Sequence, residues 1–181
     1  MDKIIFSRGN YKTLLTYKKA DVIFQMTSFF CRRFLNRNDR TVDQIVQAAR
    51  SGKQNIVEGN EALPTSMESG IKLINVAKAS LKELLEDYED FLKTRGYRQW
   101  ESESKEYSVM RQLGREHSDS EYFMRLIETR PPETIANMAI ILLNQADYLL
   151  FRQLCRLEKD FLEQGGFKER MYALRRKQRG F

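Results

Sequence analysis

At 181 residues the chain is long enough to bury the core of one domain and to carry an appended segment. Charged residues make up 31%, mean hydropathy is -0.58, and only three prolines and nine glycines interrupt the chain, so a mostly helical protein is favoured over a β fold. The formal net charge of +6 is compatible with a polyanionic partner, because a basic protein attracts nucleic acid.

The first predicted helix spans residues 11–35, after an irregular leader at residues 1–10 in which Gly9 breaks regular structure. A polar link rich in turn-forming residues follows at residues 36–40. Apolar residues recur in the helix at intervals of three and four, which is the spacing of an amphipathic helix. They are Leu14, Leu15, Val22, Ile23, Met26, Phe29, Phe30 and Phe34.

The second predicted helix begins near Thr41 and has an inward face of unusually small residues. Glycine inside a helix costs up to about 1 kcal/mol relative to alanine, so Gly52 predicts the close approach of a neighbouring helix. Gly59 is predicted to end the helix as a left-handed cap. The inward face consists of Ile45, Ala48, Ala49, Gly52, Ile56 and Gly59.

The third predicted helix follows a turn around Pro64. Residues 65–68 match the capping-box pattern, so the helix is predicted to begin there, and its apolar period continues unbroken to Arg95. Gly96 is predicted to end it. Helices two and three then form an antiparallel hairpin, the natural start of a helical bundle.

Residues 97–130 are rich in charge and serine, which predicts an insertion lying across the bundle. Within it we expect a polar surface helix at about residues 103–114 and a second capping box at residues 118–121. Pro131 and Pro132 then open a fourth helix over about residues 133–164, which Gly165 and Gly166 end.

The last segment, residues 167–181, carries six basic residues against one acid, Glu169, and so holds +5 of the net charge of +6. The predicted fold is therefore an all-α, up-and-down antiparallel four-helix bundle over residues 1–166. It has a helical insertion at about residues 97–130, and residues 167–181 form a basic C-terminal tail.

Enzyme chemistry is disfavoured because the chain has a single histidine, His117. A metal centre in a helical bundle needs inward carboxylates and histidines, and a catalytic triad needs an activating base. No glycine-rich phosphate loop follows a predicted strand. We predict no catalytic residue, metal or cofactor. An acidic cluster on helix three alternates with apolar residues, so it is predicted to be a solvated or interface-facing surface: Glu83, Glu86, Asp87, Glu89 and Asp90.

Two basic groups are the candidate nucleic-acid site, because guanidinium groups pair with phosphates and stack on bases without reading sequence. The alternative is a solvated, disordered tail with surface arginines paired to the acids of helix three. The first group surrounds the link after helix one and continues along helix two: Arg32, Arg33, Arg37, Arg40, Arg50 and Lys53. The second group lies in the tail: Lys168, Arg170, Arg175, Arg176, Lys177 and Arg179.

Asn55 and Glu58 lie three residues apart and share a helix face. They are either a catalytic pair or structural residues whose hydrogen bonds fix the turn into helix three or a subunit contact. With Gly59 they belong to a longer motif over helices two and three. Its residues are Gln44, Ile45, Ala48, Ala49, Ser51, Asn55, Ile56, Val57, Glu58, Gly59, Thr65, Ser66, Glu68, Ala79, Ser80, Leu81, Glu83 and Leu84.

This motif resembles the four-helix bundle protein family. That family includes proteins encoded in intervening sequences of bacterial large-subunit rRNA and the accessory variability determinant proteins of diversity-generating retroelements. The chain looks most like the four-helix bundle suffix domain variant, whose hairpin ends in a run such as residues 87–92 and a tryptophan such as Trp100. The resemblance implies a ring, typically a pentamer. For the retroelement members it also implies a basic surface for nucleic acid and a partner reverse transcriptase.

We therefore expect a non-enzymatic homo-oligomeric scaffold that binds RNA or DNA without sequence preference, accessory to a reverse transcriptase. The alternative is a protein–protein interaction module without nucleic-acid binding. Its docking surfaces are the small-residue face of helix two and the acidic stripe of helix three.

A cytoplasmic location is expected from three features of the sequence. Cys31 and Cys155 sit in apolar helical contexts, which predicts buried thiols of a reducing compartment. The first ten residues lack the continuous apolar core of a signal peptide. No window is expected to reach the roughly 20 apolar residues of a membrane span.

Overall fold

The computed structural model describes residues 10–36 and 40–179, apart from the side chains of Arg40, Gln164 and Arg170. These residues form helices and turns without a strand, which confirms the all-α prediction. The predicted leader up to Gly9 and residues 37–39 of the polar link lie outside the described residues. The helices are α1 (Leu15–Phe34), α2 (Arg40–Ala62), α3 (Met67–Arg95), α4 (Lys105–Glu116), α5 (Ser120–Ile127), α6 (Pro132–Gln164) and α7 (Phe167–Gln178).

The four long helices, α1, α2, α3 and α6, contribute to one core. At one end, Phe30 near the end of α1 packs 5.2 Å from the ring of Tyr88, near the end of α3. At the other end, Gln153 of α6 joins the start of α1 to the last turns of α2. Its amide oxygen accepts from Thr16 Oγ1 at 2.8 Å, and its amide nitrogen donates to Asn60 Oδ1 at 3.1 Å.

Glycines bring α2 and α3 into close contact. A Cβ atom on Gly52 would lie 2.6 Å from Leu81 Cγ, and one on Gly70 would lie 2.9 Å from the carbonyl oxygen of Gly59. The predicted close approach at Gly52 is therefore confirmed. The prediction that Gly59 caps the helix is wrong, because α2 continues to Ala62 and Gly59 is a contact point inside it. The whole predicted inward face of helix two is buried.

Helix α3 begins one residue later than the predicted capping box. Ser66 is the cap and accepts from the Ser69 amide at 3.2 Å, while Glu68 pairs with Lys72 at 2.7 Å. Thr65 is therefore not the capping residue. The predicted end is confirmed, since Gly96 has φ of 67°. Tyr97 closes that end by donating its amide to the Leu92 carbonyl at 2.9 Å.

The segment between α3 and α6 is more deeply packed than a polar insertion. Phe123 and Ile127 of α5 are fully buried, because α5 packs against α1 and completes the core. Asp119, rather than the predicted Ser118, caps α5. The segment is anchored at its start by the buried Asn137 of α6, whose side chain accepts from the Trp100 amide at 2.7 Å.

Helix α6 begins at Pro132 and ends at Gly165, whose φ is 67°, as predicted. The helical stretch Pro132–Glu169 is long and apolar enough by composition to cross a membrane, which corrects the expectation that no window approaches a span. Of the most apolar 18 residues in this stretch, 61% are buried within the fold, since α6 supplies much of the core. The core helix of a soluble protein passes the same test. Cys31 is buried as predicted, but Cys155 is exposed because it lies on the outer face of α6.

Candidate functional sites

The first basic group lies where α1 ends. Arg32 and Arg33 are exposed in the last turn, and the Arg33 guanidinium lies 5.6 Å and 5.7 Å from the rings of Phe29 and Phe34. These aromatic contacts orient Arg33 while leaving it accessible. Arg37 and the side chain of Arg40 are outside the described residues.

Arg50 and Lys53, further along α2, have different surroundings. Arg50 is exposed. Lys53 Nζ lies 3.2 Å from Asp21 Oδ1 and 4.3 Å from the ring centroid of Phe24. The charge of Lys53 is therefore already paired with a carboxylate inside the chain.

The second basic group is helical, so the prediction of a disordered tail as the alternative is wrong for the described part of residues 167–181. Helix α7 begins at Phe167, where the Glu169 carboxylate accepts from the Gly166 amide. The helix contacts the other described helices sparsely. The side chain of Arg170 lies outside the described residues. The exposed basic residues are Lys168, Arg175, Arg176, Lys177 and Arg179.

The two basic groups lie at opposite ends of the long helices. The end of α1 packs beside the end of α3, since Phe30 lies 4.8 Å from Phe91, and the segment that follows α3 is anchored to the first turns of α6. Helix α7 instead follows the last turn of α6. From Asn137 to Gly165 is ~40 Å along that helix axis. One chain therefore presents two separate basic surfaces rather than a continuous patch.

The acidic cluster of α3 borders a groove beside α2. Asp43 of α2 faces it from the other side, and burial, then repulsion from neighbouring carboxylates, raises the pKa of Asp87. No described ion pair joins the candidate arginines to these acids. Among the described residues, no group of three or more acidic, histidine or cysteine side chains is placed to hold a metal ion. The acids that line the groove are Glu83, Glu86, Asp87 and Asp90.

Of the alternatives predicted for Asn55 and Glu58, fixing the turn into α3 does not match their described hydrogen bonds. The Asn55 amide donates to the carbonyl and the hydroxyl oxygen of Ser51, at 2.9 Å and 3.1 Å, and the Ser51 hydroxyl lies 3.0 Å from that of Ser80. Glu58 is exposed and accepts from Gln54 in its own helix. Asn55 therefore acts through Ser51 on the contact between α2 and α3. The small-residue face of α2 is buried in that contact, so it is not free to dock a partner.

A cavity of about 760 Å³ lies between α1, α4 and α6, and the sequence did not predict it. Lys19 of α1 lines it with only 4% of its surface exposed. Its ammonium donates to the Gly114 carbonyl and to Gln145 Oε1, the latter at 3.2 Å. Gly114 allows this packing, because a Cβ atom there would collide with the Gln145 side chain.

Burial lowers the pKa of Lys19 to about 8. The signal in the sequence is the position of Lys19 on the apolar face of α1, three residues after Thr16 and four before Ile23, both of them buried. A lysine on an inward face is a buried charge, and buried charges need a partner.

Comparison with known proteins finds no match to a family model, a curated protein or a solved structure.

Proposed function

We propose that the protein is a non-enzymatic, homo-oligomeric scaffold that binds RNA or DNA without sequence preference. In this proposal α1, α2, α3 and α6 form an up-and-down four-helix bundle, α4 and α5 are its insertion, and the protein works in the cytoplasm. The observation that carries the proposal is α7, an exposed basic helix that packs only sparsely on the core.

Affinity in such a scaffold comes from neutralising phosphates, which releases the counterions held by the nucleic acid. Arg175, Arg176 and Arg179 are exposed within one turn of helix or just beyond it, and Tyr172 is 65% exposed in the turn before. Guanidinium groups and an aromatic ring so close together suit phosphates and unstacked bases. The basic end of α1 adds a second, weaker contact.

Self-association is supported by apolar residues exposed on the outer face of α6. Tyr148 is 57% exposed, Phe151 53% and Leu162 83%, and Tyr148 and Leu162 stand two heptads apart with Cys155 midway. Positions at heptad spacing lie on one helix face, which is the arrangement that a second helix covers. We propose that a second copy of the chain covers this stripe, in a ring for which the family resemblance favours a pentamer. Linked copies would multiply weak contacts with one nucleic acid.

The proposal is tested by measuring binding of the purified protein to a labelled structured RNA and to duplex DNA. Several phosphate contacts predict submicromolar affinity at about 50 mM salt and a loss of orders of magnitude by about 200 mM. The absence of binding to either nucleic acid at low salt would refute the scaffold.

A charge-matched pair of variants separates the contribution of the C-terminal tail to binding from that of the overall net charge. The first variant replaces the cations near the end of α7 with glutamine: Arg175, Arg176, Lys177 and Arg179. The control replaces four cations that already pair with carboxylates, so that the net charge falls equally: Lys72, Lys78, Arg125 and Lys159. We expect the first variant alone to bind at least about tenfold more weakly with a flatter salt dependence. Equal losses in the two variants would mean that α7 is not the binding element.

The alternative, a protein-interaction module, retains one of its two predicted surfaces. The acidic groove beside α2 remains accessible, and it suits a basic partner surface. A reverse transcriptase is the partner that the family resemblance implies, and it is compatible with either function. Capture of that enzyme by a chain that binds no nucleic acid would favour the alternative.

A further inference from the structure

The cavity between α1, α4 and α6 surrounds a positive charge that has no counter-charge among residues 10–36 and 40–179. Lys19 is held by two neutral oxygens, and none of the described ion pairs involves it. A buried ammonium without a carboxylate costs free energy, since neutral acceptors replace only part of its hydration. Within the part of the chain that the structure describes, the charge of Lys19 is therefore not balanced by a carboxylate.

The rest of the cavity lining adds more positive charge and little negative charge. Arg111 and Arg115 lie one turn apart on α4, and His117 follows that helix, whereas Glu116 is the one acidic residue in the described lining. Arg111 and Arg115 are exposed, so they stand at the opening, while Lys19 is at the buried side. Charge of one sign in a concave site attracts an anion.

Apolar and aromatic side chains complete the lining. Leu15 and Leu149 contribute aliphatic surface, while Tyr107 and Tyr148 contribute rings from two helices. The His117 ring stacks on Tyr122 at 3.8 Å, which holds it at the edge of the site. Ligand sites typically have volumes of about 300–1,000 Å³ and combine apolar walls with a few convergent polar groups. This cavity has both properties.

We propose that the cavity binds a small organic anion, a carboxylate or a phosphate with an apolar or aromatic body, whose negative group pairs with Lys19. The body lies against Leu15, Leu149 and the tyrosines, and the two arginines guide the anion inward. This site is separate from the basic surfaces of the proposed scaffold, and the two share one residue, Tyr148, which also belongs to the exposed stripe of α6.

Anilinonaphthalene sulfonate, a fluorescent anion with an aromatic body, is the probe for the first test. It is titrated into the full chain without nucleic acid, and decanoate and adenosine monophosphate are then added as competitors. Displacement by decanoate alone identifies a carboxylate site, and displacement by the nucleotide alone identifies a phosphate site. Displacement by neither would overturn the proposal.

Variants locate the bound probe. Lys19→Met keeps the aliphatic stem and removes the charge, so we expect its probe affinity to fall at least about tenfold, as a lost buried charge pair requires. Lys72→Met, an exposed lysine on α3, is the matched control and should bind as the original chain does. Equal affinity in Lys19→Met and Lys72→Met would overturn the proposal.

A second variant covers the case in which Lys19→Met does not fold. Asn144→Trp places a large ring at an exposed position in the cavity lining without changing charge. We expect it to abolish displaceable probe binding while leaving the thermal unfolding temperature nearly unchanged. Probe binding equal to that of the original chain would place the probe elsewhere and refute the site.

Discussion

Lys19 makes stability depend on pH in a direction opposite to that of most buried acids. Burial lowers its pKa from 10.5 to about 8, so between these values the unfolded chain holds a proton that the folded chain has released. The free energy of unfolding therefore rises with pH across this window, by up to about 3 kcal/mol for this group. Below pH 8 Lys19 is charged in the folded chain, so its burial lowers the free energy of unfolding by the full amount.

Lys19→Met should abolish that dependence. Between about pH 7 and about pH 10 the original chain should gain about 3 kcal/mol of unfolding free energy from this group, and the variant should not. The stability of the variant relative to the original chain is therefore expected to fall by that amount. Urea unfolding of the two proteins at several pH values measures the difference. Cys31, whose pKa burial raises to about 11, opposes the rise at high pH but is present in both proteins and cancels. Parallel curves would contradict the prediction.

The hydrogen bond between Tyr88 and Thr27 is a second test at a single pair of residues. Both side chains are buried, and the tyrosine hydroxyl donates to Thr27 Oγ1 at 3.0 Å. Thr27→Val leaves the Tyr88 hydroxyl unsatisfied and should cost about 1–3 kcal/mol of unfolding free energy. Adding Tyr88→Phe to this variant removes the unsatisfied hydroxyl. The double variant should therefore lose less unfolding free energy than the two single variants lose together. Additive losses, measured by the same urea unfolding, would show that the bond carries no coupling.

The pairing of α2 with α3 rests on glycines that no side chain can replace. Alanine normally stabilises a helix by about 1 kcal/mol relative to glycine. At Gly70, however, the new Cβ would lie 2.9 Å from the Gly59 carbonyl, a backbone atom that cannot move without separating the helices. We therefore expect Gly70→Ala to lower the free energy of unfolding by about 1–3 kcal/mol.

Ala79→Gly, at an exposed position of α3, is the matched control for that substitution. It should cost about 1 kcal/mol through helix propensity alone. The two opposite exchanges are thus expected to destabilise the protein alike. A stabilising Gly70→Ala, seen as a higher urea midpoint, would mean that the two backbones are not in contact.

Hydrophobic periodicity predicted the helices well because the buried face of each long helix repeats without a break. It placed helix ends less well, since a cap depends on one hydrogen bond and neighbouring polar residues compete for it. Ser66 and Asp119 each cap their helix one residue after the predicted capping residue. Gly59 was assigned to a helix end because its contact with α3 depends on packing between helices, which a local pattern does not contain.

At the scale of the whole molecule, the exposed stripe on α6 predicts the oligomeric state. Leu162→Glu places a charge at its most exposed position and should dissociate the assembly. Light scattering should give a multiple of 21.4 kDa for the original chain and 21.4 kDa for the variant. Lys105→Glu, at an exposed position at the start of α4, places the same side chain away from the stripe and should not change the mass. A monomeric original chain would refute self-association.

The candidate sites were only partly predictable at this scale. The sequence is enough to locate both groups of basic residues along the chain. Their separation in space could not be predicted from it, because that depends on how the long helices pack. The sequence also does not contain the pairing of Lys53 with Asp21, because the two residues meet only after α1 and α2 pack. The Lys19 cavity joins residues more than a hundred positions apart, such as Lys19 and Gln145, so no local motif contains it.

The separation of the basic ends has a mechanical consequence. In the proposed scaffold, a chain that binds nucleic acid through both basic surfaces would cross-link two strands, and α6 separates those surfaces by ~40 Å from Asn137 to Gly165. Cross-linking of this kind is strongest at one ratio of protein to nucleic acid. When protein is scarce, each molecule joins two strands and a network forms. When protein is in excess, each molecule binds a single strand and the network disassembles. Turbidity that rises and then falls as protein is added to a fixed amount of duplex DNA would be the bulk signature of this geometry.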